Sequence, residues 1–156
     1  MHSVRELTIP ASGDLAALAD LFDLYRVHYG QAAEPGRSAP WLADQLQTGR
    51  LKVFVAERNS AMVGFATVAP IPASLRLGHW WQIRDLFVAP EQRHLGIALA
   101  LLEAIRTAAE ASGALRLGLQ TEADNAAALS LYREAGYTSV MGYQGLTLPL
   151  DGSRRA

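Results

Sequence analysis

Arg93-His94-Leu95-Gly96-Ile97-Ala98 lies where a segment of strand character ending near Val88 gives way to a helical one beginning around Leu95. A helix start leaves its first N–H groups unpaired and carries about half a positive charge, so a phosphate can dock there when side chains leave room. Gly96 and Ala98 leave that room, and the guanidinium of Arg93 adds a charged donor. The same six residues also suit an ordinary helix start packed on a sheet by small side chains. They form neither a G-x-G-x-x-G dinucleotide fingerprint nor a phosphate loop closing on Gly-Lys-Ser/Thr.

Other residues carry proton chemistry. Asp85 stands in an apolar stretch, where a lone carboxylate needs a partner or a function. Arg84 is adjacent but points to the opposite face of a strand. Glu122, in Gln120-Thr121-Glu122, follows a strand end, a common place for site residues in open α/β sheets and equally a place for a surface carboxylate. The four histidines, His2, His28, His79 and His94, show no H-x-H or H-E-x-x-H spacing, so no metal is implied. The absence of cysteine removes disulfides, thiolate metal sites and any acyl-cysteine intermediate. No G-x-S-x-G elbow is present either.

The elements that must position these residues follow from periodicity. Leu15, Leu18, Phe22, Tyr25 and Tyr29 recur at helical steps, ending near Gly30, and a brief second helix is predicted over roughly 40–48. Residues 53–56 and 62–68 flank a tight polar turn and read as paired strands; 80–88 reads as a third, closed by Pro90. Leu95, Leu99, Leu102, Ile105 and Ala109 mark a long helix stopped by Gly113. A strand over 115–121, a helix over about 125–134 and two extended segments within 137–150 complete a β-α-α-β-β-β-α-β-α-β-β order, a mixed α/β (α+β) domain. The stretches 32–39 and 70–78, rich in Pro and Gly, are expected to be loops.

Composition bounds the class. A chain of 156 residues suits one domain, expected to span 1–156, and its half-hydrophobic content supports a buried core. A net charge of −1 provides no field to hold nucleic acid or an anionic membrane. No apolar stretch approaches the ~20 residues of a spanning helix, and the first residues do not lead into a signal-type core, so a cytoplasmic protein is expected.

Val88-Ala89-Pro90-Glu91-Gln92-Arg93-His94-Leu95-Gly96-Ile97-Ala98, followed by Leu101-Leu102, resembles the Arg/Gln-x-x-Gly-x-Gly/Ala signature of the GNAT superfamily of acyl-CoA-dependent N-acyltransferases. Asn125, Ala128, Tyr132 and Gly136-Tyr137 match the family's second signature, Asn-x-x-Ala-x-x-x-Tyr-x-x-x-Gly-Phe/Tyr. The element order fits as well. One departure is His94, where the family usually has glycine. The resemblance implies a mostly antiparallel mixed sheet of about six or seven strands, splayed in the middle and flanked by about four helices.

It also implies roles. The pyrophosphate of acetyl-CoA would sit on Arg93, His94, Leu95, Gly96, Ile97 and Ala98, with the pantetheine arm along the main chain of Leu86, Phe87 and Val88, and with Asn125 and Tyr132 nearby. Tyr132, seven residues or two helical turns after Asn125, would protonate the departing CoA thiolate, since a phenol keeps its proton at neutral pH. An alkyl amine must lose a proton before attack, and Asp85, Glu122, His28 and His79 are the candidate bases. Direct transfer in a ternary complex is expected, since the chain has neither a thiol nor an evident serine-nucleophile signature. His28, Tyr29 and Trp80, with Tyr25, Trp41 and Trp81, are expected about the acceptor, a small-molecule or peptide amine. Residues 26–31 and 84–88 look similar to a branch that includes small-amine and histone-type acetyltransferases. Dimers are common in the family, so a homodimer is an expectation. A non-catalytic acyl-CoA-binding module and transfer of a longer acyl chain are the alternatives.

Overall fold

Four consecutive apolar residues, Val53 to Ala56, are buried on both sides of one strand in the computed structural model, which describes residues 1–8 and 10–151. Side chains alternate across a strand, so each pair chooses a different layer. Val53 and Val55 of β2 (Lys52–Arg58) meet Leu18 and Phe22 of α1 (Ser12–His28) and Leu42 of α2 (Pro35–Gln47). Phe54 and Ala56 meet Ile97, Leu101 and Ile105 of α3 (Ile97–Ala111). The result is three layers, with the sheet between a helix pair and one long helix; each well-buried Leu, Ile or Phe contributes roughly 1.5–3 kcal/mol.

The sheet runs β1 (His2–Glu6), β2, β3 (Ala61–Ala73), β4 (Gly78–Val88), β5 (Leu117–Gly118) in spatial and chain order. The first three pairings are antiparallel and the last is parallel. Asn59 and Ser60 join β2 to β3 with φ of 51° and 62°, the positive pair that a two-residue hairpin turn of the favoured twist needs. The last helix is α4 (Ala126–Glu134).

Several expectations change. The 70–78 loop is mostly strand: β3 continues to Ala73, and Pro70 and Pro72 pair with Trp81 and His79 of β4. Pairing with β2 ends at Val68, so the missing N–H groups of these prolines leave no gap in a second ladder. The 32–39 loop closes early, because Pro35 starts α2, where its fixed φ is preset and its N–H is not needed. Sheet content is lower than six or seven strands. The 115–121 strand shrinks to Leu117–Gly118, and no described residue of 137–150 is in a strand. A two-residue β5 offers no edge long enough for further strands to pair with.

Candidate active site

The turn into α3 adopts a backbone that few side chains tolerate. After a single 3₁₀ turn, Pro90–Gln92, His94 lies at φ 62° and Gly96 at φ 77°. Glycine enters this left-handed region freely, whereas another residue does so at roughly 1–2 kcal/mol. The family's usual glycine at position 94 therefore has a local reason, and His94 meets it with its imidazole exposed. A Cβ on Gly96 would meet nothing of the protein within 4 Å, so the space above that residue is open. No side chain caps α3, and its first backbone bond runs from Ala100 N–H to Gly96 O at 3.0 Å. The N–H groups just before Ala100 are left without a protein acceptor. Arg93 folds back along this start: Nε donates to the Val88 carbonyl at 3.1 Å and the guanidinium lies 5.7 Å from the Phe87 ring centre. Its terminal nitrogens stay available to an anion.

A splay in the sheet opens the adjoining space. β4 pairs with β3 along its length, but its other edge pairs with β5 only at Trp81 and Gln82. Beyond Gln82 the two strands part, leaving the main chain of residues 83–88 on that side without a strand partner. Two clefts occupy the gap. One, of about 390 Å³, surrounds the turn and is lined by Arg93, His94, Gly96, Ile97 and Ala98. The other, of about 530 Å³, is lined by Tyr25, His28, Tyr29, Arg84, Leu86, Phe87, Glu122, Asn125 and Tyr132, among others. They share Val88, Arg93, Ala98 and Leu131, and so form one groove.

Helix α4 supplies the phenol. Asn125 caps its start, accepting from Ala128 N–H at 3.1 Å, and lines the groove as well. At the other end Gly136, at φ 92°, closes the helix: Gly136 N–H donates to Arg133 O at 3.0 Å and Tyr137 N–H to Tyr132 O at 2.9 Å. This paired closure carries the expected apolar contact, with the Tyr137 and Tyr132 rings 5.9 Å apart. The Tyr-x-x-x-Gly-Tyr spacing is thus a device that ends the helix and packs a second ring on Tyr132. Burial raises the Tyr132 phenol above its usual pKa, with smaller pushes from Tyr29 and Glu122. It remains protonated at neutral pH.

At the far end of the groove, Tyr25 OH donates to Asp85 Oδ1 at 2.7 Å, and Thr67 OH donates to Asp85 Oδ2. Burial and the Asp85 charge drive the Tyr25 phenol far above its ordinary pKa. The sequence places Tyr25 only among aromatics expected about the acceptor, and neither its bond to Asp85 nor that of Thr67 has a local signal, the partners lying 60 and 18 residues apart. Of the expected site residues, the groove gathers Leu86, Phe87, Val88, Arg93, His94, Gly96, Ile97, Ala98, Asn125, Tyr132, Glu122, His28 and Tyr29. Asp85 lies behind Tyr25 and is not on the wall. Leu95 is an exposed residue of the turn. Trp80 stands elsewhere, under the Arg116 guanidinium at 4.3 Å and against Gly118; His79 meets Ser112 Oγ at 3.2 Å. Trp81 is core, and Trp41 stacks on Phe22. A larger hollow of about 920 Å³ lies between α3 and the chain after α4, but the uncapped turn, Tyr132 and Asp85 are all outside it.

The sequence profile described as the Acetyltransferase (GNAT) family matches residues 18–137. An uncharacterized N-acetyltransferase of Bacillus subtilis, YhfO, is 35% identical over 132 residues, covering 85% of this chain and 89% of the relative. A solved structure described as a probable acetyltransferase superposes with TM-score 0.89 at 27% identity, covering 97% of this chain and 99% of that one. An aminoglycoside acetyltransferase from an uncultured soil metagenomic sample, 21% identical, shares the fold at TM-score 0.81 over 96% of each chain.

Proposed function

This chain belongs to the acetyltransferase (GNAT) family, and from that membership we propose that it moves an acetyl group from acetyl-CoA directly to a primary amine, with Tyr132 as the acid that meets the thiolate. The observation that carries the reading is one continuous groove joining the uncapped start of α3 to a protonated phenol. Acetyl-CoA, which the family generally uses, supplies an activated thioester. The residues present suit it: open N–H groups and Arg93 for a diphosphate, an unpaired edge of β4 for an extended arm, and a phenol donor beyond.

In this reading the backbone from Arg93 to Ala98 neutralises the diphosphate. The main chain of Leu86, Phe87 and Val88 aligns the arm as a partial added strand. Asn125 and Tyr137 hold Tyr132 in place, and Tyr132 donates its proton as the carbon–sulfur bond breaks. Asp85 and Glu122 are the carboxylates on the acceptor side, with His28 and Tyr29 framing the amine. A chain without cysteine has no thiol to hold the acetyl group, which supports direct transfer with both substrates in one complex. The aminoglycoside acetyltransferase neighbour names a small amine-bearing acceptor for that protein, and a small-molecule or peptide amine is the class proposed here.

Thiol release measured over a panel of primary amines tests the reading. Wild type is expected to release CoA with at least one amine, and Tyr132→Phe to do so about 10²-fold more slowly while binding CoA equally well. Binding of CoA without release for any amine would overturn it.

A further inference from the structure

We propose that Tyr25 is the group that meets the acceptor amine and that it relays the amine's proton to Asp85; the proposal rests on the amine-transfer reading above. It begins with a defect in the sheet. β3 and β4 stay in register down to Thr67 opposite Asp85, but Val68 then pairs with Ile83, so Arg84 is an extra residue on β4. A bulge of this kind re-aims the side chains beside it, and bulges collect near active sites. Here it turns Asp85 toward α1, facing Thr67 and Tyr25.

Both oxygens of Asp85 are then engaged by hydroxyls: Oδ1 by Tyr25 at 2.7 Å, Oδ2 by the fully buried Thr67. None of the ion pairs among the described residues includes Asp85. Its half-buried charge is held by two neutral hydroxyls and by no cation among the described residues, and one of those hydroxyls, Tyr25, links the carboxylate to the groove. The carboxylate does not line the groove, whereas Tyr25 does. A phenol that donates its proton to Asp85 still has lone pairs to accept from an N–H. The ring cannot swing away. It is clamped edge-on by Phe65 at 5.6 Å, Phe87 at 5.7 Å and Tyr29 at 5.0 Å.

The step balances without a phenolate. The ammonium N–H bond breaks and leaves its electron pair on nitrogen; the proton passes to the Tyr25 oxygen as the Tyr25 O–H proton passes to Asp85 Oδ1. The positive ammonium and the negative carboxylate end as neutral amine and carboxylic acid. Glu122 also faces the groove, but it is exposed and no side-chain hydrogen bond holds it among the described residues, so it is suited to drawing the cation in and not to a fixed transfer.

The experiment compares ethylamine with trifluoroethylamine, a probe of similar shape that is already neutral at neutral pH. Tyr25→Phe and Asp85→Asn, measured separately so that either alone reports, are expected to lower kcat for ethylamine by about 10²-fold and for trifluoroethylamine by less than about three-fold. The double variant should be no slower than the slower single one, because both remove one relay. CoA affinity should be unchanged. Equal losses with both amines, or no loss, would overturn the relay and leave the transfer reading standing. The same would follow if Glu122→Gln, and not Tyr25→Phe, gave the loss that depends on amine basicity. Absence of CoA release by wild type with every amine would overturn both.

Discussion

A phenol can serve a departing thiolate only while it still holds its proton, so in the proposed reaction the burial of Tyr132 has a functional consequence as well as a packing one. Its raised pKa puts any loss of activity caused by Tyr132 ionisation above the ordinary phenol value of ~10. The basic limb of the kcat–pH profile should therefore lie above that value. A limb well below it would assign the step to another group. His94 is the other residue whose chemistry departs from its surroundings. At φ 62° with its side chain exposed, it bears conformational strain that glycine would not. Replacing it, His94→Gly, is expected to raise unfolding stability by about 1 kcal/mol in denaturant titration while CoA binding persists. A loss of CoA affinity beyond about ten-fold, or 1.4 kcal/mol, would instead give the imidazole a place on the phosphate.

Among the elements, α4 and the α1–α2 pair show how position is enforced. Gly136→Ala forces a Cβ into the left-handed closure of α4, where space is free but the conformation is not, at a cost of about 1 kcal/mol. Because that closure seats Tyr137 on Tyr132, kcat should fall more than stability alone accounts for, measured beside thermal melts. The α1–α2 junction is tied by Asp23, which accepts from Glu34 N–H and Ser38 OH, each at 3.1 Å, and from Arg26 at 3.0 Å. The Glu34 N–H, then Arg26 and Ser38, hold its carboxyl below the usual carboxylate range. A carboxylate depressed in the folded state stabilises above its unfolded pKa and ceases to do so as pH falls through the folded value. Asp23→Asn should thus lower Tm at neutral pH, and the difference from wild type should shrink in acid; a constant difference would contradict this. The helices were legible because their apolar period is local. The 70–78 hairpin was hidden because proline's fit depends on which edge lacks a neighbour. The shortness of β5 was hidden because a strand exists only through its partner. The bond from Tyr25 to Asp85 was hidden for the same reason, its acceptor lying sixty residues away.

For the whole molecule, the decisive feature is that β4 keeps its antiparallel partner while parting from β5. One side of the opened strand has free main chain, its end leads to the start of α3, and Tyr132 of α4 lines the gap; in the proposed reading an extended ligand takes that path. The bulge at Arg84 turns Asp85 toward α1, where Tyr25 links it to the same groove. No described helix is long and apolar enough to cross a membrane. The claim on which all else depends is that the diphosphate of CoA is held at residues 93–98, with the thiol end toward Tyr132. Amide chemical shifts followed by NMR during titration with CoA test it directly. The account predicts the largest changes at Gly96, Ile97 and Ala98, extending to Val88 and Asn125. Changes confined to the hollow around Leu102, Arg106 and Tyr137, with the turn into α3 unmoved, would contradict it.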